Sequence, residues 1–308
     1  MNGKQFGIVA LAVVVIVATV GTGALMTSSG GDSGKLRVVA SFYPLAYMAE
    51  AIGGERVEVI TLIPYNTEVH SWQPSASDIL QADSADILIY NGADLEPWME
   101  KDLLPSIDTR SKLVVETAGG IGTIEGEDEP EVHSSDPHTW ISPSMAVQQA
   151  ESIYKALVEA DPDNSSYFAE GWSDLESTLH GLDDEYEERL AARQWNTIFV
   201  SHAAYGYIAD RYGLIQEGII GVSANEQPSS ATIAILTDMM VDEGIYTIFL
   251  NPIFTDEYVL TLKQEVELQT GGSVTVLELY IMTGPVGGMD YIDQMEMNLE
   301  NLCGGLGA

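Results

Sequence analysis

From Leu36 onward, short apolar runs alternate with amphipathic stretches, and this alternation restricts the fold more than any other feature of the chain. Leu36–Ser41, Val57–Ile63, Ile87–Tyr90 and Leu113–Glu116 have the character of buried strands, with helical periodicity over Leu45–Ile52 and Ser77–Asp83 between them. The second half repeats the habit with Thr197–Val200, Ile219–Gly221, Thr247–Leu250 and Val274–Leu277, separated by helical stretches such as Ile233–Val241 and Asp256–Gln269. Strands that alternate with helices predict an α/β fold with parallel sheets. Between the halves, Phe168, Trp172, Leu175, Leu179, Leu182, Tyr186 and Leu190 recur at spacings of three and four with acids between them, which predicts one long amphipathic helix. It exceeds the usual helix length of about 11–12 residues, and no proline interrupts it, so it reads as a stiff connector that permits only modest domain motion. The chain has 308 residues, 45% of them hydrophobic, which is material for two packed cores. The expected division is an N-terminal anchor and tether over 1–35, a first α/β lobe over 36–162, the connector helix over 163–193 and a second α/β lobe over 194–308.

The N-terminus bears on compartment. Phe6 to Met26 carries no charged side chain, and a helix of about 20 such residues matches a hydrocarbon core of about 30 Å. Lys4 and the free amine precede it, which orients the N-terminus to the cytoplasm and everything after Ser28 to the outside. The run is longer than a usual signal-peptide core, and no cysteine follows that would take a lipid. A retained transmembrane anchor is therefore the expectation, and a cleaved signal peptide the alternative. Residues 28–34, all small or polar, read as a flexible tether. The lone Cys303 excludes an intrachain disulfide and a multi-thiolate metal site.

The formal net charge is -35, from 47 acidic and 12 basic residues. Such a balance repels phosphate backbones and excludes nucleic acid as a partner. Spread over the whole chain, it reads first as a solvated surface that keeps the protein soluble, and second as a field that gathers cations.

Three of the five histidines stand in separate short contexts: Glu68-Val69-His70-Ser71-Trp72-Gln73-Pro74, Asp136-Pro137-His138-Thr139-Trp140 and Ser201-His202-Ala203-Ala204-Tyr205-Gly206-Tyr207. Each context has the look of a strand end leading into a helix, so three distant loops can converge on one cavity. Neutral imidazoles from separate loops are what a borderline-soft divalent cation such as zinc selects. The other two histidines read differently. His180 falls on the polar side of the connector series, and His133 follows the acidic, Pro- and Gly-containing run 125–131, which reads as a solvated loop. Trp72, Trp98 and Trp140 are expected to pack in cores or around the cleft.

Five segments occur in order: Val38-Val39-Ala40-Ser41-Phe42-Tyr43-Pro44-Leu45, His70-Ser71-Trp72-Gln73-Pro74-Ser75, Tyr90-Asn91-Gly92-Ala93-Asp94-Leu95-Glu96-Pro97-Trp98, Asp136-Pro137-His138-Thr139-Trp140-Ile141-Ser142-Pro143 and Ser201-His202-Ala203-Ala204-Tyr205-Gly206-Tyr207. Together they resemble the zinc- and manganese-binding receptors of ABC metal importers. The resemblance covers nearly the whole chain after the apolar N-terminus. It implies two α/β lobes joined by one long helix, with a metal ion at the cleft between them. It implies His70 and His138 as ligands from the first lobe and His202 from the second. The manganese receptors of the family usually carry a carboxylate where His202 stands, so the resemblance implies Zn2+ as the ion carried, with Mn2+ next. The fourth ligand it implies is a carboxylate after the last strand; Glu278 stands there in place of the family's usual Asp, with Glu68 or water as alternatives. Asn251 replaces a frequent Glu after the third strand of the second lobe. The partners implied are the permease and ATPase subunits of an importer.

Two other classes compete. A three-histidine site with an open position also describes a catalytic zinc that activates water, with Glu68 or Glu278 as general base in a hydrolase. No His-Glu-x-x-His helix or Gly-x-Ser-x-Gly turn is present to support that reading. A metal-binding surface adhesin shares the anchor and the acidic surface.

Overall fold

The computed structural model describes residues 34–121, 136–222, 227–253 and 255–308. Within them the chain builds two four-stranded, wholly parallel sheets. The first comprises β1 (Leu36–Ala40), β2 (Val57–Thr61), β3 (Ile87–Tyr90) and β4 (Leu113–Glu116), in the order β2-β1-β3-β4. The second comprises β5 (Thr197–His202), β6 (Ile215–Ile220), β7 (Thr247–Leu250) and β8 (Thr275–Glu278), in the order β6-β5-β7-β8. Both sheets use one plan, in which the chain starts near the centre, steps to one edge and returns past its first strand. All four residues of β3 and all six of β5 are buried, as strands covered on both faces require.

Helices α1 (Tyr43–Gly53), α2 (Ala76–Asp83) and α3 (Pro143–Ala160) belong to the first lobe. Helices α5 (Gly206–Tyr212), α6 (Ser230–Glu243), α7 (Glu257–Thr270) and α8 (Tyr291–Leu306) belong to the second. Their starts are chemically marked. Pro44 and Pro143 sit in the first turns of α1 and α3, where the missing N–H is not needed. Ser75 and Asp78 form a reciprocal capping box on α2, and Asp290 and Asp293 form one on α8.

Between the lobes runs α4 (Ser165–Leu190), a single helix of 26 residues that buries Phe168, Leu175, Leu179, Leu182, Tyr186 and Leu190. Trp172 of the same apolar series is half-buried and stacks on Tyr154. The helix is fixed at both ends. Near its start, Gly171 lets it approach α1 so closely that an added Cβ would lie 2.5 Å from the Ile52 carbonyl oxygen. Near its end, Asp183 accepts from Arg211 (2.9 Å) and from the Tyr212 hydroxyl (2.8 Å), Tyr186 donates to the Met295 carbonyl (2.6 Å), and Arg189 grips Glu300 with two bonds of 2.6 and 2.9 Å.

The hydrophobic packing does not divide where the sheets divide, as an expectation of two separate cores would have it. One continuous cluster runs from Val38 through α4 to Tyr291 and Leu306, so it joins the first lobe to one side of the second. A smaller cluster, with Phe199, Ile219, Met240, Ile248, Leu262 and Val266, lies where α6 and α7 cover the second sheet. The expected anchor over Phe6–Met26 and the acidic loop with His133 lie outside the described residues, and no helix among those described is long and apolar enough to cross a membrane.

Candidate metal centre

All three signal histidines stand beyond the carboxyl ends of strands, where open parallel sheets place their ligands. His70 lies in the connection from β2 to α2, His138 opens the single turn Thr139–Ile141 before α3, and His202 is the last residue of β5. The structure brings them together. His138 Nε2 lies 3.3 Å from His70 Nε2 and 3.3 Å from His202 Nε2, and the three ligand atoms fall within 4.8 Å of one another. Two donors about 2.0–2.1 Å from a zinc ion at the tetrahedral angle are separated by roughly 3.3–3.4 Å. His138 and His202 are each 1% exposed, and His70 is half-buried.

The surroundings fix which nitrogen faces the centre. Asp136 Oδ1 accepts from the His138 backbone N–H (2.9 Å) and from its ring Nδ1 (2.8 Å). A carboxylate at Nδ1 places the ring proton there and leaves the Nε2 lone pair free for a cation. The Asn91 side chain completes this scaffold. Its amide donates to the Pro137 carbonyl (2.9 Å) and to Gly92, while its oxygen accepts from Thr139 (3.2 Å) and Gln149 (2.9 Å), so a buried amide with every bond made holds both neighbours of His138. His202 is hydrogen-bonded to the backbone of Gly221.

Electrostatics favour neutral rings. Burial, and then the neighbouring His138, push the pKa of His70 down to about 4. Burial, and then His138 and His70, hold His202 well below its ordinary value. Imidazoles kept neutral are ready ligands.

Glu278 is not brought to this cluster. It is the last residue of β8 and is exposed, while Leu279 beside it is fully buried, so strand alternation turns the glutamate away from the interior. Its carboxylate takes the hydroxyl of Tyr280 instead. Glu68 is also engaged elsewhere: its oxygens accept from the backbone N–H of His70 (2.8 Å) and of Ser71 (2.8 Å) and from the Ser71 hydroxyl, shaping the loop that carries His70. His180 is exposed on α4. Trp140 is fully buried and touches the His138 ring at 5.3 Å between centroids, and Trp98 is buried against the half-buried Trp72.

Sequence reasoning assigned no role to Asp136, Asn91 or Tyr207. An acid two residues before a histidine is a readable sign of an oriented imidazole; the amide and the phenol become visible only through contacts 46 and 71 residues away.

Two parallel α/β lobes, one connecting helix and a histidine cluster between them define a solute receptor of the metal-binding kind. The chain belongs to the ZnuA family, described as zinc-uptake complex component A, periplasmic, whose model matches residues 38–305. It is 29% identical over 298 residues to the high-affinity zinc uptake system protein ZnuA of Bacillus subtilis, covering 94% of this chain and 93% of that one. Among solved structures it resembles the Zn(II)-bound ZnuA-like domain of AdcA from Streptococcus pneumoniae, with a TM-score of 0.75 and 28% identity over 89% of this chain and 100% of that one. It also resembles the laminin-binding protein Lmb of Streptococcus agalactiae, described as bifunctional with adhesin and metal-transporting activity, with a TM-score of 0.79 and 26% identity over 88% of this chain and 99% of that one.

Proposed function

We propose that this chain is a zinc receptor on the outer face of the cytoplasmic membrane that passes its ion to the permease and ATPase subunits of an ABC importer. His70, His138 and His202 are its protein ligands in this reading. The observation that carries it is the pair of 3.3 Å separations among the Nε2 atoms, the spacing that two imidazoles adopt on one tetrahedral zinc. An all-imidazole set favours zinc over manganese, which prefers oxygen donors. A fourth donor from outside the cluster, water in the simplest case, completes the tetrahedron. Residues 1–35 are assigned as the anchor and tether, 36–162 and 194–308 as the two lobes, and 163–193 as the connector helix. The chain carries its ion and performs no reaction on it.

The test is native mass spectrometry of the metal-stripped protein offered equal zinc and manganese. The wild type is expected to retain one zinc, His138→Ala and His202→Ala to lose it, and Glu278→Gln to keep it. Retention of manganese instead, or undiminished zinc binding by His202→Ala, overturns the assignment.

A second reading, attachment to an extracellular matrix protein, is favoured by the likeness to Lmb. Binding of the full chain to immobilised laminin, measured for the wild type and His202→Ala, tests it. Equal attachment by both would separate adhesion from metal carriage, and no attachment would remove the reading.

A further inference from the structure

The segment that supplies His202 also reaches across the cleft to the segment that supplies His138. Tyr207, in the first turn of α5 and five residues after His202, is 4% exposed and donates its hydroxyl to the main-chain carbonyl of Asp136 at 2.6 Å. Asp136 is itself 2% exposed, and its side chain holds the His138 ring at Nδ1. The two histidine-bearing segments therefore meet twice: directly, where the Nε2 atoms lie 3.3 Å apart, and a few residues away through this phenol–carbonyl bond.

We infer that Tyr207 is a positioning residue, a cross-lobe clasp that sets the Asp136–His138 pair against His202 and so governs how fast a bound cation leaves. The inference rests on the receptor reading above and adds a control on release. Separating His138 from His202 requires the Tyr207 bond to break. That bond is buried, so the carbonyl it abandons has no water waiting for it, and its loss opposes opening. Other bonds also cross between the lobes, including Trp140 Nε1 to the Ile281 carbonyl (2.7 Å) and the Asn66 amide to the Pro285 carbonyl (3.0 Å). Neither of these two ends on a residue whose side chain grips one of the histidines, whereas the Tyr207 bond does.

The experiment is zinc release from the full chain into excess chelator by stopped flow, for the wild type, Tyr207→Phe and Tyr186→Phe. Tyr186 is the matched control: its hydroxyl donates to a buried carbonyl at the same 2.6 Å, but on α4. Tyr207→Phe is expected to speed release about tenfold, the effect of one buried hydrogen bond. Tyr186→Phe leaves the Asp183 and Arg189 bonds that fix α4 in place and is expected to release zinc at the wild-type rate. The metal-free melting temperatures of the two variants are expected to fall by similar amounts, a pattern that a merely structural role for Tyr207 does not give. Should Tyr207→Phe lose its cooperative melting, Tyr207→Met, whose flexible apolar side chain adapts to part of the same space without a donor, takes its place. A wild-type release rate for the Tyr207 variant, or equal acceleration by both variants, overturns the clasp while leaving the receptor reading intact. A wild type that holds no zinc overturns both.

Discussion

Asp136 shows how one side chain orients a histidine. Its carboxylate fixes the tautomer of His138, so Asp136→Asn is expected to weaken zinc binding by roughly 10- to 100-fold while the protein stays folded, as competition against a chelator of known affinity measures. Proton linkage near the site has two opposing parts. The pKa of His70, lowered to about 4, means that below its unfolded value of about 6.5 the unfolded chain takes up a proton that the native metal-free protein refuses, so stability falls as pH drops from about 6.5 to 4. Glu96 acts the other way. Buried between the ends of β1 and β3, it accepts from Ser41 and from the N–H groups of Asn91 and Gly92, yet burial pushes its pKa up to about 7. The stability it contributes is present in acid and is lost as pH rises from about 4.5 to 7. Glu96→Gln removes that second slope, so the denaturation midpoint of the metal-free variant is expected to climb more steeply with pH between about 4.5 and 6.5 than that of the wild type. Equal slopes would rule out Glu96 as the source.

At the level of elements, α4 carries a sharp contrast between two glycines. Nothing lies within 4 Å of a Cβ placed on Gly181, whereas one on Gly171 meets the Ile52 and Ala51 carbonyls at 2.5 and 3.0 Å. Gly181→Ala is expected to stabilise the protein by about 0.5–1 kcal/mol through helix propensity. Gly171→Ala is expected to destabilise it by about 1–3 kcal/mol because backbone cannot yield. Thermal melts of the two variants should move in opposite directions. Much of this level was legible in sequence. Ile87–Tyr90, Leu113–Glu116 and Thr247–Leu250 fall where their apolar runs place them, and the 168–190 series is the helix its spacing predicts. Helices α3 and α8 have weak signatures in the sequence. In α3, alanines and one glutamine occupy core positions, Gln149 being buried to serve Asn91 and Thr117. In α8, Gly305 is buried because Phe249 sits where its side chain would be. β6 starts at Ile215 rather than Ile219, because Gln216 and Glu217 break the apolar run. The convergence of His70, His138 and His202 was readable from their flanks. Glu278 differs, because a motif position says nothing about the sheet face to which alternation assigns it, and that face is exposed here.

For the molecule as a whole, the charge of -35 is a standing self-repulsion. Added sodium chloride screens it, so the melting temperature is expected to rise between 10 mM and 1 M salt; a flat or falling curve would show the acids to be individually compensated. The continuous core and the doubly fixed α4 bear on how the cleft works. A helix of 26 residues is about 39 Å long, and its contacts with α1 near Gly171 and with α5 and α8 near Asp183 and Arg189 leave little free length between them. Such a member behaves as a short beam clamped at both ends rather than as a pivot. Parting the lobes then loads it elastically, and Leu175 and Leu179, buried in the common core between the two clamps, leave no unsupported span in which it could bend. On the receptor reading proposed above, letting the ion go is mechanical work done on the protein by the importer, and the same stored work drives the lobes back together once the grip is released.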